Sequence, residues 1–200
     1  MRLPERARRW LVSGLVVLAA QQLAAASWIH VKAALAQVLV RHAWSAALAD
    51  GQRHKPWPWA DTWPVARLRV PQLGIDQIVL AGASGNALAF GPGLDEGGAV
   101  PGSAGTAVIG GHRDTHFAFL RELRAGGPVL LQTPDGRWRY YRVAEAAVVD
   151  SRSVTAAPRR EGAPVLELVT CYPFEAWLPG GPLRYVVTAM PQPAPQRVHL

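Results

Sequence analysis

A single cysteine in 200 residues excludes an internal disulfide, so no disulfide framework staples this chain. The same scarcity, with no other ligands at metal spacing, argues against a zinc site. Lysine is nearly absent, two residues against nineteen arginines, and the positive charge is unevenly placed. Residues 1–64 carry eight Lys and Arg against three acids, whereas residues 65–190 carry twelve against eleven. The globular part is therefore nearly neutral and has no basic stripe, so the net charge of +7 does not point to nucleic acid. The glycines of 91–94 and 101–105 lack the Lys-Ser/Thr ending of a phosphate loop and open no helix. They read as a loop between strands.

The chain begins with Arg2, Arg6, Arg8 and Arg9, followed by an uncharged run over residues 10–29. That run of 20 residues at ~1.5 Å each spans roughly 30 Å, enough to cross a bilayer as a helix. The arginine cluster predicts a cytoplasmic N-terminus and export of everything after residue 30. A cleaved signal peptide competes, with residues 11–20 as its apolar part and Ala24, Ala25 and Ala26 as its small-residue site. Over residues 31–48, the positions Val31, Leu35, Val38, Leu39 and Trp44 approximate a helical stripe. It is either a stalk leaving the membrane or a helix packed on the domain. Residues 56–64 then hold three tryptophans and three prolines, which excludes a helix interior and favours a stiff, extended path. Those tryptophans either sit at a membrane interface or cap one end of the domain.

Beyond this tract the pattern is that of strands, predicted over 65–70, 77–81, 106–110, 129–132, 137–143, 148–149, 165–171 and 183–189. Pro134, Asp135 and Gly136 mark a tight turn between two of them. Short strands with Gly and Pro punctuation predict a mainly β, closed or nearly closed barrel. The clearest helical patch is 117–124, with Phe117, Leu120 and Leu123 on one side. The expected organisation is a cytoplasmic basic terminus (1–9), a membrane anchor (10–29), a stalk and Trp/Pro linker (30–64), the β domain (65–190) and a disordered tail (191–200).

The lone cysteine, Cys171, ends the strand predicted at 165–171, because Pro173 cannot donate a ladder hydrogen bond. A thiol where a rigid strand gives way to a loop is placed to be reactive; the alternative is a buried structural cysteine. Leu168-Val-Thr-Cys171 resembles the Thr-Leu-X-Thr-Cys signature of sortases, the cysteine transpeptidases that join surface proteins to an acceptor amine. Upstream, an apolar strand ending in Gly110, Gly111 and His112 is similar to the context of the sortase catalytic histidine. Downstream, Arg184 stands at the start of a strand, as the sortase active-site arginine does. A Gly-Pro-Gly and Pro-Gly passage before the histidine strand adds to the resemblance, which runs from about residue 65 to 190. Trp28, Ile29, His30 and the tract at 56–64 resemble the N-terminal region of the sortase class from Gram-negative bacteria, class GN.

The resemblance implies a closed eight-stranded barrel, with an N-terminal transmembrane and stalk helix and short helices. It implies Cys171 as nucleophile, His112 as acid/base and Arg184 as the donor that stabilises the oxyanion, and it brings in no cofactor or metal. The expected partners are an exported protein bearing a sorting signal, an amine acceptor, and the inner membrane, with the domain facing the periplasm. Strand alternation makes Val169 and Glu167 same-face neighbours of Cys171 and candidates to line a peptide groove. Glu167 departs from the family motif, which usually has threonine there. Thr170 is a further candidate through its hydroxyl, although alternation puts it opposite Cys171, where packing is its other role. The Tyr172 N–H is a candidate second oxyanion donor, and Tyr172, Phe174 and Trp177 are either loop packing or walls of the acceptor site. Asp114 either orients His112 or is a solvated loop carboxylate. Asp95 and Glu96 are weak candidates for a calcium site, and residues 150–163 are a candidate mobile cover. Two rivals remain: a thiol endopeptidase on the same fold, with water as acceptor, and a non-catalytic peptide-binding module. An L,D-transpeptidase is disfavoured, because its Ser-X-Gly-Cys pattern is missing.

Overall fold

The computed structural model describes residues 4–83, 85–153, 162–177 and 180–194. Helix α1 runs Glu5–Asp50, and the chain divides into two compact units, Met1–Val38 and Leu39–Leu200. In the first unit α1 is long and apolar enough to cross a membrane, by length and composition. Trp10, Leu11, Leu15, Val16 and Val17 are all more than half exposed there.

In the second unit the end of α1 belongs to the globular part. Val40, Ala43, Trp44 and Ala47 are buried, at the i, i+3, i+4, i+7 spacing of one helical face. Val40 packs with Leu80 and Ala87, flanked by Trp57, Ile78 and Phe90. The Trp/Pro tract caps this end: Trp57 meets Phe90 edge-on at 4.9 Å, Arg53 lies over Trp63, and the Thr62 hydroxyl donates to the Ala81 carbonyl (2.7 Å). Trp59 alone of the three stays 83% exposed.

Eight strands close into a barrel in the order β1-β2-β3-β4-β7-β8-β6-β5. They are β1 Pro64–Val70, β2 Ile75–Ala81, β3 Gly93–Leu94, β4 Thr106–Gly110, β5 Pro128–Gln132, β6 Trp138–Asp150, β7 Val165–Cys171 and β8 Leu183–Gln192. β2–β3 and β4–β7 pair in parallel and the other neighbours antiparallel. A single turn of helix, α2 Ala87–Phe90, lies in the connection that makes β2–β3 parallel. The inward residues form one core, including Leu68, Val79, Ile109, Leu131, Leu166, Leu168 and Val187, each fully buried.

Three elements differ from the sequence expectation. The strands expected at 137–143 and 148–149 are one strand, β6, which bulges between Val143 and Glu145. β8 offers it a continuous edge, and the alanines between the two halves do not break a strand. β3 was not expected; two residues are too short to show alternation, and it exists through backbone approach, since a Cβ on Gly93 would lie 2.0 Å from the Gly82 carbonyl oxygen. The helix expected at 117–124 is a 3-10 turn, Ala118–Arg121. Phe117, Leu120 and Leu123 are buried, and their spacing of three is that of a 3-10 rather than an α-helix. β8 also reaches Gln192, past the expected start of the tail. Most of the expected cover at 150–163 lies outside the described residues.

Candidate active site

Three adjacent strands build the site. β4 and β7 run parallel with Gly110 beside Val169, and β7 and β8 run antiparallel with Cys171 opposite Arg184. Gly110 is the last paired residue of β4, and carrying the β4–β7 register two residues past it would put His112 level with Cys171. The backbone supports that extension, because the Gly111 N–H donates to the Val169 carbonyl (3.1 Å). Cys171 is half-exposed and His112 exposed, so both are open to solvent at one rim.

β7 divides its side chains between two duties. Leu166, Leu168 and Thr170 point into the core, while Val165, Glu167, Val169 and Cys171 lie on the outer face and are partly exposed. Val169 and Glu167 thus share the face of Cys171. Thr170 does not: it is 2% exposed, and its hydroxyl donates to the Gly111 carbonyl (2.7 Å), which is the packing alternative for this residue. That bond ties the strand of the thiol to the residue before His112.

Gly111 is a glycine because of close approach. A Cβ there would lie 2.6–2.9 Å from the ring of Phe117, which is fully buried. The His112 carbonyl accepts the Phe117 N–H (3.0 Å), which closes the turn.

Arg113 is a structural residue that sequence reasoning missed. Its side chain is 9% exposed. Nε and Nη2 donate to the Asp114 carboxylate (2.8 and 3.1 Å), Nη1 to the Pro173 carbonyl (2.6 Å) and Nη2 to the Ala176 carbonyl (2.8 Å). One guanidinium therefore clamps the loop after Cys171 to the loop that carries His112. The available signal was the Arg113-Asp114 dipeptide directly after the histidine. Asp114 hydrogen-bonds Arg113, not His112, and this contact holds its carboxyl below the usual range. His116, half-buried beside His112, has its pKa lowered by burial first and by the nearby His112 charge second.

Arg184 uses Nη1 to bond the Gly181 and Leu183 carbonyls (2.7 and 2.9 Å). Its Nε and Nη2 make no hydrogen bond among the described residues. The Tyr172 N–H, expected as a second oxyanion donor, instead donates to the Leu183 carbonyl (3.0 Å) and is already engaged. The Tyr172 ring stacks on Tyr185 (6.2 Å) and meets Phe174 edge-on; Phe174 and Tyr185 in turn pack against the core. Trp177 is 99% exposed.

A cleft of about 760 Å³ opens elsewhere, lined by Arg53, Asp95, Glu96, Asp135 and Arg139, toward the N-terminal end of β4. Cys171 lies past the opposite end of that strand's register, on a sheet face. A sheet face suits an extended peptide, whereas a deep cleft suits a small ligand. Asp95 accepts the Gly97 N–H (3.3 Å). Among the described residues no group of three His, Cys, Asp or Glu side chains is placed to hold a metal.

The fold and the rim together define a class: closed eight-stranded β-barrels with a thiol at the end of an inner strand. The family model "Sortase domain" matches residues 68–192, and the chain belongs to the sortase family. Sortase D of Bacillus subtilis (strain 168) is 28% identical over 120 residues, a segment that spans 60% of this chain and 60% of that relative's length. Among solved structures, sortase A from Corynebacterium diphtheriae superposes with a TM-score of 0.61 at 21% identity, covering 70% of this chain and 65% of its own. A Clostridium perfringens sortase D5 transpeptidase gives 0.57 at 22% identity, over 65% and 79%. At these identities the structures speak for the fold.

Proposed function

We propose that this protein is a membrane-anchored cysteine transpeptidase. Cys171 attacks a backbone carbonyl of an exported protein's sorting signal, the leaving amine departs, and an acceptor amine resolves the thioacyl-enzyme. The observation that supports this reading is register: Cys171 stands opposite Arg184 across β7–β8, and Gly110, two residues before His112, stands beside Val169 across β4–β7. Attack by sulfur needs the thiolate, so His112 takes the thiol proton and returns it to the departing amine. Charge then builds on the carbonyl oxygen, and Arg184 supplies permanently charged donors, its Nε and Nη2 being unengaged among the described residues. The helix over 10–29 anchors the protein in the inner membrane, with the barrel on the periplasmic side. Placement in the Gram-negative class rests on the resemblance of Trp28, Ile29, His30 and the tract at 56–64.

The test is intact mass after mixing the full chain with candidate sorting peptides. A covalent acyl adduct is expected on the native protein and none on Cys171→Ala. Peptide cleavage by Cys171→Ala at the native rate would refute the reading. Adding triglycine separates the acceptor classes: a transpeptidase yields the triglycine conjugate, and a thiol endopeptidase only the hydrolysed acid.

A further inference from the structure

Glu167 is a carboxylate in an unusual place. It stands on the outer face of β7 in line with Val169 and Cys171, two same-face steps from the sulfur. Its register partners are Val108 on β4 and Thr188 on β8, neither of them a cation. The residue beyond Thr188 in the same row is Glu145 on β6, a second acid. Glu167 makes no hydrogen bond or ion pair among the described residues, although it is only partly exposed. Burial raises its pKa, so the site pays to keep this group charged. Half-buried carboxylates are ordinarily paired, and this one has no pair among the described residues.

Direction along the groove follows from the chemistry. The acyl part of the substrate must stay bound through attack and through resolution, while the leaving group and the acceptor come and go. Beyond Cys171 the chain turns at Pro173 and the rim closes with Tyr172, Phe174 and Tyr185. The extended surface left for the acyl part is the face that runs back through Val169 to Glu167. At ~6.8 Å per same-face step, Glu167 lies roughly 13 Å from the sulfur, the reach of about four extended residues.

Resting on the transpeptidase reading above, we propose that Glu167 is a specificity-determining residue that pairs with a lysine or arginine of the sorting signal, about four residues N-terminal to the residue whose carbonyl is attacked. A basic side chain there supplies the missing donor and neutralises the buried charge, and an acidic one adds a like charge to a row that already holds two.

The probe is a randomised octapeptide pool incubated with the full-length protein, with the thioacyl group captured on Cys171 sequenced by tandem mass spectrometry. Lys and Arg should be enriched roughly tenfold over their pool frequency at one position, three to five residues before the captured carbonyl. Glu167→Gln should abolish that enrichment, and Glu167→Lys should replace it with enrichment of Asp and Glu at the same position. Each enrichment is a ratio within one protein, so an overall change in rate does not distort it. Adducts without basic enrichment, or enrichment that persists in both variants, overturn the proposal. Absence of any adduct on the native protein overturns the transpeptidase reading, and the proposal with it. A variant that loses its cooperative melt is replaced by Glu167→Asp, for which a retained but weaker preference is expected and a lost one refutes.

Discussion

Gly110 and Gly111 are neighbours in sequence, yet the packing around them demands opposite responses to the same substitution. An alanine Cβ at position 110 meets nothing closer than the Ala83 Cβ at 3.6 Å, an ordinary contact. At position 111 it would lie 2.6, 2.8 and 2.9 Å from three ring atoms of Phe117. Carbon atoms rest about 3.5 Å apart or more, so roughly 0.9 Å must be found by movement. Phe117 has no exposed surface and packs edge-on against Phe119 at 5.7 Å, so its ring cannot withdraw cheaply. The Gly111 backbone is held by its N–H to Val169 and by the Thr170 hydroxyl on its carbonyl. Overpacking of this kind costs about 1–3 kcal/mol, which for a domain of this size lowers Tm by roughly 3–10 °C.

The chemical consequence is larger than the thermal one. Whatever share of that movement the backbone takes displaces His112 relative to Cys171, since His112 is the next residue. A misplacement approaching 1 Å costs on the order of a hundredfold in rate. Gly111→Ala should therefore melt early and form the acyl adduct at about a hundredth of the native rate, while Gly110→Ala stays close to native in both. Phe117→Leu in the Gly111→Ala background should recover part of both losses, because it removes the ring atoms that clash. Equal effects at 110 and 111, or no recovery with Phe117→Leu, would show that strand propensity rather than packing governs the pair, and the reasoning would fall.

Two other perturbations probe different contacts. Arg113→Met removes the clamp on the Pro173 and Ala176 carbonyls, so amide hydrogen exchange should quicken over 172–177 and adduct formation should slow. Arg113→Lys should restore little, because one ammonium cannot serve a carboxylate and two carbonyls together; unchanged exchange in Arg113→Met would refute the clamp. Across β1–β2, Arg67 grips Asp76 at both oxygens (2.7 and 2.6 Å), and that contact holds the Asp76 pKa below 3.8. Its stabilisation is fully present above that ordinary value and is lost as the pH falls through the lower, folded-state value. With both side chains about a third exposed, Asp76→Asn should cost about 0.5–1 kcal/mol at neutral pH and progressively less below pH 4, read by urea unfolding; a cost that grows on acidification contradicts the pairing.

How much of this was written in the sequence depends on the range of the interaction. The strand of Cys171 was legible because Val, Leu and Glu alternate up to a proline that cannot continue a ladder. The histidine and arginine candidates stood out because their local contexts resemble those of sortases, with no need to know which strands pair. Hidden instead were facts that exist only once β4, β7 and β8 are neighbours. Alternation put Thr170 opposite Cys171 without showing that its hydroxyl bonds Gly111, and the Tyr172 N–H was a candidate donor that Leu183 engages. Arg113 carried no signal of its clamping role in sequence, because the two carbonyls it holds lie some sixty residues downstream. β3 had no signal at all, being a two-residue contact made possible by a missing side chain.

The pleat of β7 links stability and chemistry more tightly than either motif or core alone would suggest. Leu166 and Leu168, both fully buried, fix which face is inward, and that choice alone puts Glu167, Val169 and Cys171 outward. A slip of one residue against β4 or β8 would expose two leucines and bury a carboxylate and the thiol together, so the core polices the register that the chemistry needs. Thr170 serves as the pin between the two faces: inward by parity, it spends its hydroxyl on the one carbonyl that sets where His112 begins. The proposed nucleophile is therefore positioned by buried residues, and a loss of their register would disable the proposed site before any catalytic group is changed.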